Sequence, residues 1–334
     1  MLKLRLLRVR NALVRECMAE FLGTFVLLLF GCAAAAQVKT SRETKGQFLS
    51  VNMAFSVGVM SAMYLTKGIT GAHLNPAVTL SFCVLGQVPW GRLVPYCLSQ
   101  LLGAYVASGL VYLVYYGLSF WHLKCLYHQC LHTLFCILLF CLPHIITSVS
   151  ISDAIMEFSG GVLTVYGPNE TASIFATYPT EYMTLGRSFL DQVVGTGMLM
   201  LCILCLDEKR NSPAPTELIP PIVAVIVLGI SMSMSANCGA AINPARDLGP
   251  RLFTLTAGWG TEVFTCYNYW FWVPLVAPPI GGVLGSLMYL IFIHWHLPDP
   301  DPPENHSTLS TISDKIKQPA TTWENGIELK AAHF

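Results

Sequence analysis

One short string occurs twice, far apart in the chain and in matching surroundings, and this duplication limits the available folds more than any other feature. Gly71-Ala72-His73-Leu74-Asn75-Pro76-Ala77 returns as Gly239-Ala240-Ala241-Ile242-Asn243-Pro244-Ala245. The flanking motifs return in the same order. Glu20-Phe21-Leu22-Gly23-Thr24 is matched by Gln192-Val193-Val194-Gly195-Thr196, and Val94-Pro95 with Gly103 by Val273-Pro274 with Gly282. Motifs repeated in one order mark an internal duplication, so the chain is two versions of one structural unit.

Each unit is too greasy for water. Apolar runs at Phe21–Ala36, Val51–Leu65, Leu93–Tyr116, Phe189–Leu206, Ile219–Met234 and Trp270–His294 approach the length of a membrane crossing. Over the whole chain 54% of residues are hydrophobic, 11% are charged and the formal net charge is zero. That balance suits lipid and excludes a nucleic-acid partner. Three crossings per unit place the second unit upside down relative to the first. The two repeated Asn-Pro-Ala segments then enter from opposite faces. They are too short to cross alone, and irregular backbone at membrane depth is tolerated where it lines a water-filled cavity. The expected fold is an all-α membrane protein with six transmembrane helices, two re-entrant half-helices and an inverted internal repeat.

The basic residues Lys3, Arg5, Arg8, Arg10 and Arg15 precede an apolar run that continues to spanning length, which predicts an uncleaved first helix with a cytoplasmic N-terminus rather than a signal peptide. Lys209 and Arg210 mark another cytoplasmic loop. From Leu297 the chain turns polar and Pro-rich, as a disordered cytoplasmic tail does. Cys17, Cys32, Cys83, Cys97, Cys202 and Cys205 are scattered in apolar stretches and read as small hydrophobes. The implied segments are 1–14 (N-terminus), 15–116 (first half), 117–152 (an atypical insertion), 153–186 (an extracellular loop), 187–297 (second half) and 298–334 (tail).

In Asn-Pro-Ala the proline suits the first turn of a helix, where its missing N–H costs nothing, and the preceding Asn is a good N-cap. Asn75-Pro76-Ala77 and Asn243-Pro244-Ala245 would therefore start two half-helices at the pore centre. Their positive dipole ends would meet there, with the Asn amides free to donate to a passing oxygen.

The sequence resembles the aquaporin (major intrinsic protein) family from about Arg15 to about Pro298. By this resemblance the opposed dipole ends and Asn amides form the central barrier to protons and cations known for aquaporin-type pores. The run Asn243-Pro244-Ala245-Arg246-Asp247-Leu248-Gly249-Pro250-Arg251-Leu252-Phe253, then Ala257-Gly258-Trp259-Gly260, is similar to the glycerol-conducting aquaglyceroporin branch, as is Phe175-Ala176-Thr177-Tyr178-Pro179. The nearest group is that of aquaporins three, seven, nine and ten, and Ala236-Asn237-Cys238-Gly239 leans toward the last. The resemblance implies a right-handed helix bundle, homotetramers in the plasma membrane with one pore per subunit, and cytoplasmic termini.

It also implies a selectivity constriction of Phe55, Ser231, Ala240 and Arg246. An arginine facing lipid would cost about 2.5–3.5 kcal/mol, so Arg246 should face a cavity. Water-selective relatives place His where Ser231 stands, so Ser231 and Ala240 should leave a wider gate with one apolar wall, Phe55, and one donor wall, Arg246. Ser231 departs from the Gly or Ala expected in this branch. Glu20 and Gln192, polar at equivalent membrane depths, brace the re-entrant loops by the same resemblance, and Asp247 braces its loop. Asn169-Glu170-Thr171 is a glycosylation acceptor pattern in the loop after the third crossing.

The stretch 117–152 interrupts an otherwise continuous family pattern. Cys125, Cys130, Cys136 and Cys141 with His122, His128, His132 and His144 invite a zinc reading, but no paired ligand motif accompanies them. An additional crossing would invert the second half, so this stretch is expected to be a non-spanning insertion or a retained intron. The expected function is passive passage of water, glycerol and other small uncharged solutes such as urea through a channel in the lipid bilayer, without metal or cofactor. The alternatives are a water-selective channel and a secondary transporter. No nucleophile–base pair points to an enzyme.

Overall fold

Helices account for every long apolar run in the computed structural model, which describes residues 9–116 and 154–299. They are α1 (Ala12–Thr40), α2 (Phe48–Thr70), α3 (Pro76–Val84), α4 (Leu93–Tyr115), α5 (Ala154–Ser159), α6 (Leu185–Leu206), α7 (Ile219–Cys238), α8 (Pro244–Thr254), α9 (Glu262–Tyr269) and α10 (Val273–Phe292). Among the described residues six stretches are long and apolar enough to cross a membrane, and no strand occurs. The insertion 117–152, with its cysteines and histidines, and the tail beyond 299 lie outside the described residues.

Helix ends follow caps more than hydropathy. The first helix begins well before Phe21, because the Asn11 side chain accepts the Val14 N–H at 3.2 Å and starts the helix at Ala12. At 29 residues it is about 43 Å long, more than the roughly 30 Å of a bilayer's hydrocarbon core. The last apolar run starts irregularly: Tyr267, Asn268 and Tyr269 have positive φ, Trp270–Trp272 form a 3-10 turn, and the regular helix begins only at Val273.

The duplication is visible as matched close approaches between backbones. A Cβ on Gly103 or Gly281 would fall within 3.0 Å of the carbonyl oxygens of Phe21 and Val193, which are equivalent residues of the two halves. Only glycine allows α4 to touch α1, and α10 to touch α6, in this way. The second-half position is Gly281 rather than Gly282, the residue the spacing pairs with Gly103; Gly282 lies against Ser81 of the opposite half-helix instead.

Part of the connection between α5 and α6 packs inward. Ala172, Ile174, Phe175 and Ala176 are all buried, and the Phe175 ring sits against Phe253 and Trp259 at centroid distances of 5.5 Å. On the outer surface, large apolar side chains such as Leu98, Val225 and Phe292 are exposed, as a lipid-facing surface requires.

At another rim, outside the membrane-spanning helices, the Glu208 carboxyl is held down to about 2 by its hydrogen bonds with the Arg210 guanidinium, against the opposing effect of burial. The His294 ring closes this tie at 2.7 Å. A folded value below the unfolded one stabilises the fold above the unfolded value near 4.3, and that contribution fades as pH falls toward 2.

Candidate functional site

Both re-entrant loops are built on the same backbone plan. The helix before each ends at a left-handed glycine: Gly71 (φ 85°) donates to Lys67 O, and Gly239 (φ 78°) donates to Ser235 O. Left-handed residues then recur at Ala72 and Leu74 in the first loop and at Ala240 and Ile242 in the second, with φ between 42° and 61°. Such conformations in non-glycine residues cost about 1–3 kcal/mol each and persist only where the surroundings hold them.

Glu20 and Gln192 touch these strained segments. One Glu20 oxygen accepts the Thr70 hydroxyl at 2.5 Å and the His73 N–H at 3.0 Å; the other accepts the Leu74 N–H at 2.7 Å and the Gln100 amide at 2.8 Å. Four donors fill the four acceptor sites of a carboxylate. The Gln192 carbonyl oxygen accepts the Ile242 N–H at 3.0 Å, and its amide donates to Asp191 at 3.1 Å.

Asn75 and Asn243 are the N-caps of α3 and α8. The Asn75 side chain accepts the Ala77 N–H at 2.9 Å, and that of Asn243 accepts the N–H groups of Ala245 and Arg246 at 3.0 and 3.2 Å. Pro76 and Pro244 occupy the first helical positions. Each amide nitrogen also crosses to the other loop: Asn75 donates to Ile242 O and Asn243 to Leu74 O, both at 2.8 Å. One N–H of each amide is used this way, and one remains for the lumen that both residues line.

That lumen is a cavity of about 760 Å³. Its wall runs from Lys39 and Arg42, past Phe55 and the two Asn residues, to Lys67 and Asp207. Phe55 from α2, Ser231 from α7, Ala240 from the second loop and Arg246 from α8 all face it. The Arg246 guanidinium carbon lies 4.6 Å from the Phe55 ring centroid, and Nη1 donates to Phe175 O at 2.8 Å. One edge of the guanidinium is thereby fixed, and the rest of its donor fork is left to the cavity. Near the Lys39 end, the Lys39 ammonium is paired with Glu170 and bonded to Ser173 at 2.6 Å.

Asp247 reaches away from its own re-entrant loop. It accepts the backbone N–H and hydroxyl of Thr177 at 2.8 and 2.5 Å, and Arg251 Nε at 2.9 Å. Arg251 is fully buried, donates to Thr177 O and Val263 O, and lies over the Tyr178 ring at 4.5 Å. This clamp fixes the segment whose Phe175 carbonyl holds Arg246. Arg251, Thr177 and the Phe175 carbonyl therefore belong to the site, although sequence reasoning gave them no role. The spacing of Asp247 and Arg251, four apart in a helix, was the available signal. Gln100, a polar residue in a spanning helix, was another. Among the described residues no cluster of His, Cys, Asp and Glu could hold a metal ion.

Asn169, by contrast, is exposed. Its acceptor partner Thr171 is buried, with its hydroxyl accepting the Trp259 indole N–H at 3.2 Å.

Comparison with known proteins agrees with this architecture. Residues 8–289 match the family model described as Major intrinsic protein. Aquaporin-10 of Homo sapiens is 43% identical over 316 residues, covering 94% of this chain and 93% of that protein. Aquaporin-7 of Mus musculus is 41% identical over 298 residues, covering 89% and 86%, and aquaporin-9 of Mus musculus is 38% identical over 296 residues, covering 89% and 88%. The X-ray structure of the aquaglyceroporin from Plasmodium falciparum superposes with a TM-score of 0.62 at 28% identity, over 83% of this chain and 95% of that one. With six membrane-spanning helices, two opposed Asn-capped half-helices and a family match over most of its length, this chain belongs to the major intrinsic protein family.

Proposed function

We propose that the chain is a passive channel for water, glycerol and other small uncharged solutes, urea among them, that excludes ions and protons. The observation that carries this reading is the cavity that both Asn caps line, with Phe55, Arg246, Ser231 and Ala240 also in its wall and the Arg246 guanidinium carbon 4.6 Å from the Phe55 ring centroid. A polyol fits such a wall. Its carbons slide along the Phe55 ring while its hydroxyls exchange water hydrogen bonds for those of Arg246. Two helix N-termini and the Arg246 charge face the lumen and oppose a cation there. Members of this family are channels, not enzymes. A carboxylate-coupled transporter is disfavoured because Glu20 and Asp247 are already bonded to protein donors.

In this reading Glu20, Gln192 and Asp247 hold backbone in place and take no chemical part in transport. The channel works as a homotetramer in the plasma membrane with both termini cytoplasmic, and Asn169 carries the glycan. Purified protein in liposomes tests the function: swelling is expected in both water and glycerol gradients, with no current under a proton gradient. Water flux without glycerol flux would establish the water-selective alternative instead. Replacing Arg246 with valine is expected to admit a measurable proton or cation current while water permeability stays within about threefold of the parent. A blocked pore at normal membrane levels would make Arg246 a structural residue.

A further inference from the structure

We propose that Gly31 on the first helix sets the clearance of the selectivity constriction, by giving the Phe55 ring a seat against bare backbone. The inference rests on the reading of Phe55 as a wall of that constriction. Gly31 is buried, and a Cβ placed on it would fall within 3.0 Å of Cδ1, Cε1 and Cζ of Phe55. Those three carbons form one edge of the ring, so the ring rests where a side chain at position 31 would be. The guanidinium of Arg246 lies over the same ring at 4.6 Å. The aromatic wall is therefore bracketed between α1 and the donor wall.

Neither bracket can yield easily. The α1–α2 crossing is already in backbone contact beside this point, since a Cβ on Gly58 would lie 2.9 Å from Leu27 O. Arg246 is tethered to Phe175 O at 2.8 Å, and Cys32, the next residue of α1, rests its sulfur 3.9 Å from the same carbonyl. Adjacent residues of α1 thus back both walls. With the nearest ring carbon 2.1 Å from that Cβ, a methyl group at position 31 would need roughly 1.5–2 Å of ring movement to restore an ordinary carbon–carbon separation of about 3.5–4.0 Å. The unfilled space available to the ring is the cavity that Phe55 lines. Moving into it narrows the passage at the level of Arg246. A solute with a three-carbon backbone loses passage before a single water does.

Gly31 is thus a positioning residue that acts through Phe55, and its test must separate that route from simple damage to packing. The full chain is reconstituted in liposomes as Gly31→Ala, Phe55→Ala and the double variant, and water and glycerol permeabilities are measured separately. Gly31→Ala is expected to lower glycerol permeability about tenfold with water changed less than about twofold, as overpacking toward a void predicts. Phe55→Ala is expected to raise the glycerol-to-water ratio, and the double variant to match Phe55→Ala. An unchanged ratio in Gly31→Ala, with a changed one in Phe55→Ala, overturns the role of Gly31 and leaves the constriction intact. An unchanged ratio in Phe55→Ala overturns the constriction reading itself. If Gly31→Ala does not reach the membrane, the double variant decides. Recovery with Phe55→Ala selectivity upholds the seat, and continued failure shows that position 31 packs on backbone rather than on Phe55.

Discussion

Replacing Arg251 with methionine is expected to cost about 3–5 kcal/mol of stability and to leave little folded channel, because it strands a buried carboxylate. Asp247 and Arg251 are both fully buried, and Arg251 supplies Asp247 with donors at 2.9 and 3.3 Å. Without them Asp247 keeps only Thr177 as a partner. The same substitution removes the donors to Val263 O at 2.6 Å and Thr177 O at 2.5 Å, so two buried carbonyls lose their cation as well. Heating the detergent-solubilised protein and following loss of the folded species by gel filtration measures the effect. Combining Arg251→Met with Asp247→Leu should cost less than the sum of the single changes, since the pair acts as one unit. A methionine variant that melts with the parent would show that the clamp contributes nothing to the fold.

The second large effect is on selectivity. Ser231→His with Ala240→Cys is expected to reduce glycerol permeability at least about tenfold while water falls about twofold, in the range by which small changes of pocket size discriminate solutes. Ser231 projects from α7 and Ala240 from the second re-entrant loop, both onto the cavity that Phe55 and Arg246 line. The imidazole adds bulk and polarity, and the thiol fills what the alanine methyl leaves open. Alanine and cysteine meet the same cost at the positive φ of residue 240, 42°, because neither is β-branched. Stopped-flow swelling at matched protein levels separates the two fluxes. Equal loss of both would place the narrowest point elsewhere in the lumen.

The parts of this molecule legible in its sequence are those encoded locally or by repetition. Asn75-Pro76 and Asn243-Pro244 carry their helix starts within two residues, and the structure puts both at N-caps. Six apolar runs became six spanning helices because length and hydropathy are enough to specify a crossing. Helix ends were less legible: Asn11 extends α1 through a cap, and the left-handed Tyr267–Tyr269 turn delays α10. At the site, Phe175 acts through a carbonyl oxygen, which every residue possesses, so no residue type announces it. Arg251 stood in a recognised string, but its role depends on Thr177 and Val263, which only folding brings beside it. The 153–186 connection read as a loop because its apolar residues form no continuous run of spanning length, yet Ile174 and Phe175 are buried.

The crossed asparagine bonds carry a consequence for how the protein is made. Asn75 waits for a carbonyl 167 residues further along, and the Leu74 carbonyl for an amide 169 residues away. Synthesis at about 5–20 residues per second separates the two partners by roughly ten to thirty seconds. Only when the second half has been made can the tip of the first re-entrant loop form the bond to Ile242 that anchors it. The nascent membrane therefore never holds a finished aperture made from one half. The lining of the lumen is drawn from both halves, so a chain that stalls midway lacks the Asn243 and Arg246 side of the passage.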